Sequence, residues 1–248
     1  MRSAELQVKK FDPHSAISRR PMQHPTTPGT PHLEIVRSAP HGLPEQGDQR
    51  LGVLGGAYNP ITRAHLAIAD AVVHTMGIHE VLFCLPQVPP HKGIFGASLA
   101  QRLEMMQSAV ADCPYAAVGL SSHGLFLDIY AALRPVYPPS TEVFFLTGRD
   151  AAERILTWDY DDAAAALRQM FTAFQLIVCD RDGAFQLPDD PLLTPYHDRI
   201  HRCPLALDAI SSTVVREHLQ QGRAIDAFVP PAVAAYIQQH GLYRDCQE

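Results

Sequence analysis

The chain contains no run of 18 or more apolar residues, so nothing in it reads as a membrane-spanning helix. It also lacks a C-x-x-C pair. Cys84, Cys113, Cys179, Cys203 and Cys246 are scattered and odd in number, the pattern of isolated thiols in a reducing cytosol rather than of a zinc site or a disulfide framework. A basic stripe is missing too. Lys and Arg number 20 against 26 Asp and Glu, a net charge of −6, and after residue 50 the balance is 13 against 21. An acidic body cannot displace counterions along a nucleic acid, which excludes bulk binding of DNA or RNA and leaves any phosphate to a few placed groups. The first thirty residues hold no apolar h-region, which predicts no secretory signal. Neither G-x-G-x-x-G nor G-K-[ST] occurs, so a dinucleotide-binding dehydrogenase and a Walker-type phosphate loop are both excluded.

What is present is an ordinary globular balance. Of 248 residues, 46% are hydrophobic and 19% charged, and a domain of about 200 residues buries roughly 70% of its unfolded surface without needing staples. Residues 1–50 stand apart, with seven of the 21 prolines and four of the 13 histidines (His14, His24, His32, His41). So many chain breakers with few large apolar groups predict a mostly disordered extension, with Leu33 to Val36 as one short strand or a docking segment. The spacing of the four histidines follows no metal-ligand rule.

Beyond residue 50 strands and helices alternate. Leu51 to Leu54 is a short apolar run ending in Gly55-Gly56, and Ile61 to Met76 carries a helical apolar face closed by Gly77. Glu80 to Pro86 reads as a buried strand, and Ser98 opens a helix with Gln101 as its capping-box partner. A strand over 116–120 is followed by a helix near 128–133. Glu142 to Thr147 is apolar on both faces, as a central strand must be. A helical region over 151–170, broken near 158–160, leads to a strand at 175–179, and helices close the chain near 213–221 and 231–239. The expected fold is therefore a single doubly wound α/β domain with a mostly parallel sheet over residues 51–243, followed by a tail of residues 244–248. Ligands in such sheets bind beyond the carboxyl ends of the strands, which directs attention to Gly55–Asn59, Pro86–Lys92 and Gly148–Asp150.

The first of these turns runs Gly55-Gly56-Ala57-Tyr58-Asn59-Pro60-Ile61-Thr62-Arg63-Ala64-His65. Two glycines let a ligand approach the backbone, and the helix that follows offers N–H groups to an anion. Thr62 and His65, three apart, share one face of its first turn, so a hydroxyl and an imidazole are expected to aim at one point. Taken alone, the turn reads equally well as an ordinary bend with Thr62 as cap and His65 in the core. A second stretch, Ile210-Ser211-Ser212-Thr213-Val214-Val215-Arg216, places hydroxyls at a helix start with an arginine one turn later. It is either a second phosphate clamp or a plain Ser/Thr cap.

Together the two stretches resemble the nucleotidyltransferase superfamily of adenylyl- and cytidylyltransferases, in which an H/T-x-x-H turn faces an I-S-S-T-x-x-R helix. The likeness is closest to the nicotinate/nicotinamide mononucleotide adenylyltransferases. It extends in order through Pro86-Gln-Val-Pro-Pro-His-Lys92, Ser98 to Met105 with Arg102-Leu103, Gly148-Arg149-Asp150, Trp158, and the tail from Val229 to Tyr243. The resemblance implies a Rossmann-like fold and transfer of the adenylyl group of ATP to a pyridine mononucleotide, with release of pyrophosphate in cytoplasmic NAD biosynthesis. Mg²⁺ would be bound through the ATP phosphates. By the same resemblance His65 would stabilise the transition state, Thr62 would stand at the family's first, often histidine, position, and Ser211, Ser212 and Arg216 would grip the β- and γ-phosphates. Gly55, Gly56 and Ala57 would offer backbone contacts, Gly148 and Asp150 would reach ribose hydroxyls, and Lys92 would support the phosphates. Asn59, Phe126 and Trp158 would face the acceptor, Trp158 by stacking on its ring.

Two departures bear on the acceptor. The family's Ser-Tyr-Thr-x-Asp stretch is replaced by Gly124-Leu125-Phe126-Leu127-Asp128, which keeps the aspartate and loses the hydroxyls, whereas Asn59-Pro60-Ile61-Thr62 looks more like the turn of nicotinamide mononucleotide enzymes. Arg149 adds a cation that could pair with Asp150 or Asp159 or reach an anionic substrate. A related transferase with another phosphorylated acceptor, and a non-catalytic nucleotide-binding regulator, are the alternatives. A homo-oligomer is compatible with the sequence.

Overall fold

The computed structural model describes residues 29–88, 96–157, 160–180, 183–205 and 210–244. Lys92, Trp158, Asp159 and Cys246 lie outside the described residues. In chain order the elements are β1 (Leu33–Arg37), β2 (Arg50–Gly55), α1 (Arg63–Met76), β3 (Glu80–Pro86), α2 (Leu99–Ala109), β4 (Ala116–Ser121), α3 (Phe126–Leu133) and β5 (Glu142–Gly148). After these come α4 (Arg149–Leu156), α5 (Ala163–Ala173), β6 (Gln175–Cys179), a 3-10 turn (Thr194–Arg199), β7 (Ile200–Cys203), α6 (Ser212–Gln220) and α7 (Pro231–His240).

The seven strands form one sheet in the order β1-β4-β3-β2-β5-β6-β7, all parallel except β1. From β2 the chain builds outward through β3 and β4, then crosses back to lay β5, β6 and β7 on the other side. The switch point therefore falls between the carboxyl ends of β2 and β5, at Gly55 and Gly148, which is where a doubly wound sheet leaves a crevice. Successive strand residues point to opposite faces, so both faces must be covered. Leu54, Phe83, Phe144 and Leu146 pack under α1, α2, α6 and α7. Val53, Leu82, Val143 and Phe145 pack under α3, α4 and α5. This double burial accounts for the unbroken apolar runs of β3 and β5.

Local signals set most element ends. Gly77 closes α1 in the left-handed region at φ 67°. The Ser98 hydroxyl accepts the Gln101 N–H while the Gln101 side chain accepts the Ser98 N–H, a reciprocal capping box that starts α2. Asp162 caps α5 by accepting the Ala165 N–H at 2.9 Å, so the break expected near residues 158–160 separates two helices.

Two parts differ from expectation. The stretch assigned to the extension carries β1, which pairs antiparallel with β4 from Leu33 opposite Ser121 onward. Leu33 and Ile35 pack against the core, His41 N–H donates to the Pro114 carbonyl at 2.7 Å, and the Arg37 guanidinium donates to the carbonyls of Ala116 and Ala111. The folded unit thus begins well before residue 51. Four residues, three of them apolar, between Pro31 and Pro40 are too short a pattern to separate an edge strand from a docking segment. The second is β7, Ile-His-Arg-Cys, whose half-polar sequence hides it because it pairs with β6 and lies at the edge of the sheet.

At the carboxyl ends of β6 and β7, Arg202 grips Asp180 through Nε at 2.9 and 3.0 Å and Nη2 at 2.6 Å, and Asp180 also accepts the Phe185 N–H at 2.8 Å. The hydrogen bonds from Arg202 hold this carboxyl below its ordinary value of 3.8. A depressed folded pKa stabilises above the unfolded value, and that stabilisation is lost as pH falls through the folded one. Asp180→Asn is therefore expected to lower Tm at pH 7, with the gap to wild type closing as the pH drops below about 4. A pH-independent gap in thermal melts would contradict this role.

Candidate active site at the switch point

The turn after β2 is built around Tyr58. Its ring is buried, its hydroxyl donates to the Leu54 carbonyl, and its backbone takes φ 44°. A Cβ on Gly56 would lie 3.2 Å from that ring, so glycine there makes room for the tyrosine, while a Cβ on Gly55 would meet nothing within 4 Å. The end of β2 thus presents open backbone at Gly55, and Gly148, which caps α4, is open in the same way.

Thr62 is the N-cap of α1 and is fully buried. Its N–H donates to Nδ1 of His65 at 3.1 Å, and its Oγ1 lies 2.8 Å from the same nitrogen. A backbone N–H can only donate, so Nδ1 must accept, and the neutral imidazole carries its proton on Nε2. The half-buried His65 ring is thereby locked with an N–H donor on its far side. The expectation that hydroxyl and imidazole aim at one external point is corrected here. Thr62 aims at His65 and orients it, because capping draws its side chain back over the first helical turn.

The distant stretch docks onto this turn. Arg216 Nη1 donates to the Asn59 carbonyl at 2.7 Å, and its Nη2 lies 3.3 Å from Thr213 Oγ1. The Ser212 hydroxyl donates to the Pro60 carbonyl at 2.8 Å. Ser211 caps α6 by accepting the Val214 N–H at 3.2 Å. Two helix starts, neither with an acidic residue in its first turn, are so brought to one place. Their positive dipole ends suit a polyanion, although the Arg63 N–H that opens α1 is taken by the Phe228 carbonyl at 2.8 Å. Of the two readings of the serines the structure shows the cap: Ser211 caps α6, and the Ser212 hydroxyl is spent on the Pro60 carbonyl, which ties the start of α6 to the turn that Arg216 also grips.

Of the other expected site residues, Ala57 is half-buried in the turn and Asn59 is buried beside it. Asp150 is exposed in the first turn of α4, 3.6 Å from Arg149, which also lies 3.7 Å from Glu153. Phe126 is a correction. The half-buried ring stacks on Phe145 at 4.3 Å and meets Phe174 edge-on at 6.1 Å, so one face of it is committed to the core cluster rather than open to an acceptor.

Sequence reasoning noted Arg102 and Tyr243 only within longer likenesses and gave them no part. Arg102 is 1% exposed and donates from Nη1 to the Ala57 carbonyl at 2.8 Å, and burial lowers its pKa. Tyr243 donates to Asn59 Oδ1 at 2.7 Å. The signal for Arg102 was there: it shares a helix face with Leu99, Met105 and Met106, and a cation on an apolar face demands a buried acceptor. Among the described residues no group of three or more His, Cys, Asp or Glu side chains could hold a metal ion, and no helix is long and apolar enough to cross a membrane.

Two helix starts tied together at the switch point of a Rossmann-like sheet are an arrangement suited to nucleotides, and the class of enzyme to which family and relatives assign it is the nucleotidyltransferases. The chain belongs to the cytidylyltransferase-like family, whose model matches residues 53–218. It is 32% identical over 204 residues to a probable nicotinate-nucleotide adenylyltransferase of Bordetella pertussis, covering 80% of this chain and all of that one. It is 33% identical over 208 residues to a protein of the same description from Moorella thermoacetica, covering 79% of this chain and 92% of that one. Its fold is similar to that of the Plasmodium falciparum nicotinic acid mononucleotide adenylyltransferase complexed with NaAD, at a TM-score of 0.61 and 18% identity over 80% of this chain and 99% of that one.

Proposed function

We propose that this enzyme transfers the adenylyl group of ATP to a pyridine mononucleotide, with nicotinate mononucleotide the preferred acceptor, as a step of NAD biosynthesis. A phosphate oxygen of the acceptor attacks the α-phosphorus in line. The bond from that phosphorus to the bridging oxygen of the β-phosphate breaks, and pyrophosphate leaves with the electron pair. The protein forms no covalent bond. It aligns two anions and neutralises the charge that builds on the phosphorus, work suited to fixed donors.

The observation that carries the reading is the docking of α6 on the turn before α1, through Arg216 on the Asn59 carbonyl and Ser212 on the Pro60 carbonyl. In this reading Nε2–H of His65 meets the α- and β-phosphate oxygens, and Arg216 spans the outer phosphates. Gly55, Gly56 and Ala57 contact the nucleotides through backbone, and Gly148 and Asp150 take ribose hydroxyls. Asn59 faces the acceptor, with Lys92 and Trp158 in the roles given by the resemblance. Mg²⁺, when bound, offsets triphosphate charge; the imidazole and guanidinium donors fit an ion carried by the phosphates themselves. The choice of nicotinate is supported by the names of the relatives at 32% and 33% identity.

The test is pyrophosphate release from each of the four common nucleoside triphosphates, paired in turn with nicotinate mononucleotide, nicotinamide mononucleotide, phosphopantetheine and a sugar phosphate. Turnover with ATP and nicotinate mononucleotide above all other pairs is expected. Turnover confined to a non-pyridine acceptor, or ATP binding without pyrophosphate, would overturn the proposal.

A further inference from the structure

We infer that Tyr243 is a positioning residue for the transfer reaction: its hydroxyl fixes the side-chain amide of Asn59 beside the nucleotide end of the sheet. The inference rests on the proposed adenylyl transfer and adds to it a residue 184 positions from the turn it controls.

The turn is held at several points by side chains from three parts of the chain. Arg102 of α2 takes the Ala57 carbonyl, Arg216 and Ser212 of α6 take the carbonyls of Asn59 and Pro60, and Tyr243, beyond α7, takes the Asn59 side chain itself. Three of these grips reach backbone, and only Tyr243 acts on a side chain, the one that the proposed function sets toward the acceptor. An asparagine amide can turn by half a revolution and exchange its donor and acceptor ends at little cost in shape. A fixed partner on Oδ1 decides which end faces which way. The phenol donates its hydrogen to Asn59 Oδ1 at 2.7 Å, which leaves the amide NH2 end of that side chain facing the other way. Burial pushes the phenol above its ordinary value, so it stays protonated and remains a donor across the neutral range.

Backbone geometry is the independent observation. Among the described residues two that are not glycine take a positive φ, Tyr58 at 44° and Tyr243 at 64°. Such conformations persist where surrounding structure over-determines them, and they gather at functional sites. One of the two precedes Asn59 in the chain and the other is hydrogen-bonded to its side chain. The Tyr243 ring also sits where a Cβ on Gly96 would come within 2.5 Å of it, so the phenol is wedged between that glycine and the turn. Simple closure of the C-terminal segment needs neither the strained backbone nor the hydroxyl, since Leu242 and the ring already bury apolar surface.

The test is Tyr243→Phe, which keeps the ring and removes the hydroxyl. We expect kcat to fall about 10-fold with KM for both substrates within about 3-fold, the pattern of lost alignment rather than lost binding. Tm should stay within about 4 °C. In the Asn59→Ala background the same substitution should cost less than about 2-fold, because the group it positions is gone. The side-chain amide resonances of Asn59 in ¹⁵N spectra should shift in Tyr243→Phe. That readout needs no turnover, so failure of the bond between Tyr243 and Asn59 is told apart from failure of the proposed reaction. Wild-type kcat in Tyr243→Phe, an equal loss in both backgrounds, or unmoved Asn59 amide resonances would each overturn it.

Discussion

His65→Ala is expected to lower kcat about 10²- to 10³-fold, the usual cost of deleting one fixed donor to a developing oxyanion. KM for ATP should change far less, because the ground-state triphosphate keeps Arg216 and the two helix starts. The size of the effect follows from preorganisation. Thr62 N–H and Oγ1 both act on Nδ1, so the ring does not need to turn or change tautomer when charge appears on the phosphate. The same geometry separates two further variants. His65→Asn keeps a side-chain N–H donor on the same helical turn and should recover part of the loss, whereas Thr62→Val removes the orienting hydroxyl but leaves the backbone N–H and should cost about 10-fold or less. Steady-state kinetics with pyrophosphate detection measure all three. Near-normal turnover in His65→Ala would remove this residue from the reaction.

Arg216→Ala is expected to cost about 10³-fold in kcat/KM, more than its charge alone would give, because it strips a phosphate donor and a brace from the turn together. The guanidinium holds the Asn59 carbonyl through Nη1 and reaches Thr213 Oγ1 through Nη2. A lysine keeps the charge but cannot hold a carbonyl and a phosphate at once from a planar fork. Arg216→Lys should therefore retain affinity for ATP within about 10-fold while kcat falls further than KM rises. Equal losses in binding and turnover would mean that Arg216 contributes attraction only, with no part in shaping the turn.

Where one element buries both its faces, the sequence carried the fold almost to the residue. β3 was legible from Glu80 to Pro86 because every side chain in it is buried, and β6 from Gln175 to Cys179 because four of its five are. β1 was legible only as one of two alternatives, a short strand or a docking segment, and β7 not at all, since edge strands need only half an apolar pattern. In the candidate site, residue types and spacing singled out His65, Ser211, Ser212 and Arg216, and the structure brings these two stretches together at one place. What they could not disclose was direction. Thr62 and His65 share a helix face in either reading, and only the bond between Thr62 N–H and Nδ1 shows that the threonine serves the histidine. Phe126 misled for a related reason: an apolar residue at the start of a helix that follows a strand suits a ligand pocket and a core equally, and its stacking partner Phe145 lies on β5. Arg102 and Tyr243 act across the fold on Ala57 and Asn59, partners that no local pattern names.

The central claim is that the turn at residues 55–65 and the helix at residues 212–220 act on a single triphosphate. A crystal structure with the non-cleavable analogue α,β-methylene ATP tests it most directly. The account predicts phosphate oxygens within hydrogen-bonding distance of both His65 Nε2 and the Arg216 guanidinium, with the ribose toward Gly148. An analogue bound elsewhere, or one touching only one of those two side chains, would contradict it.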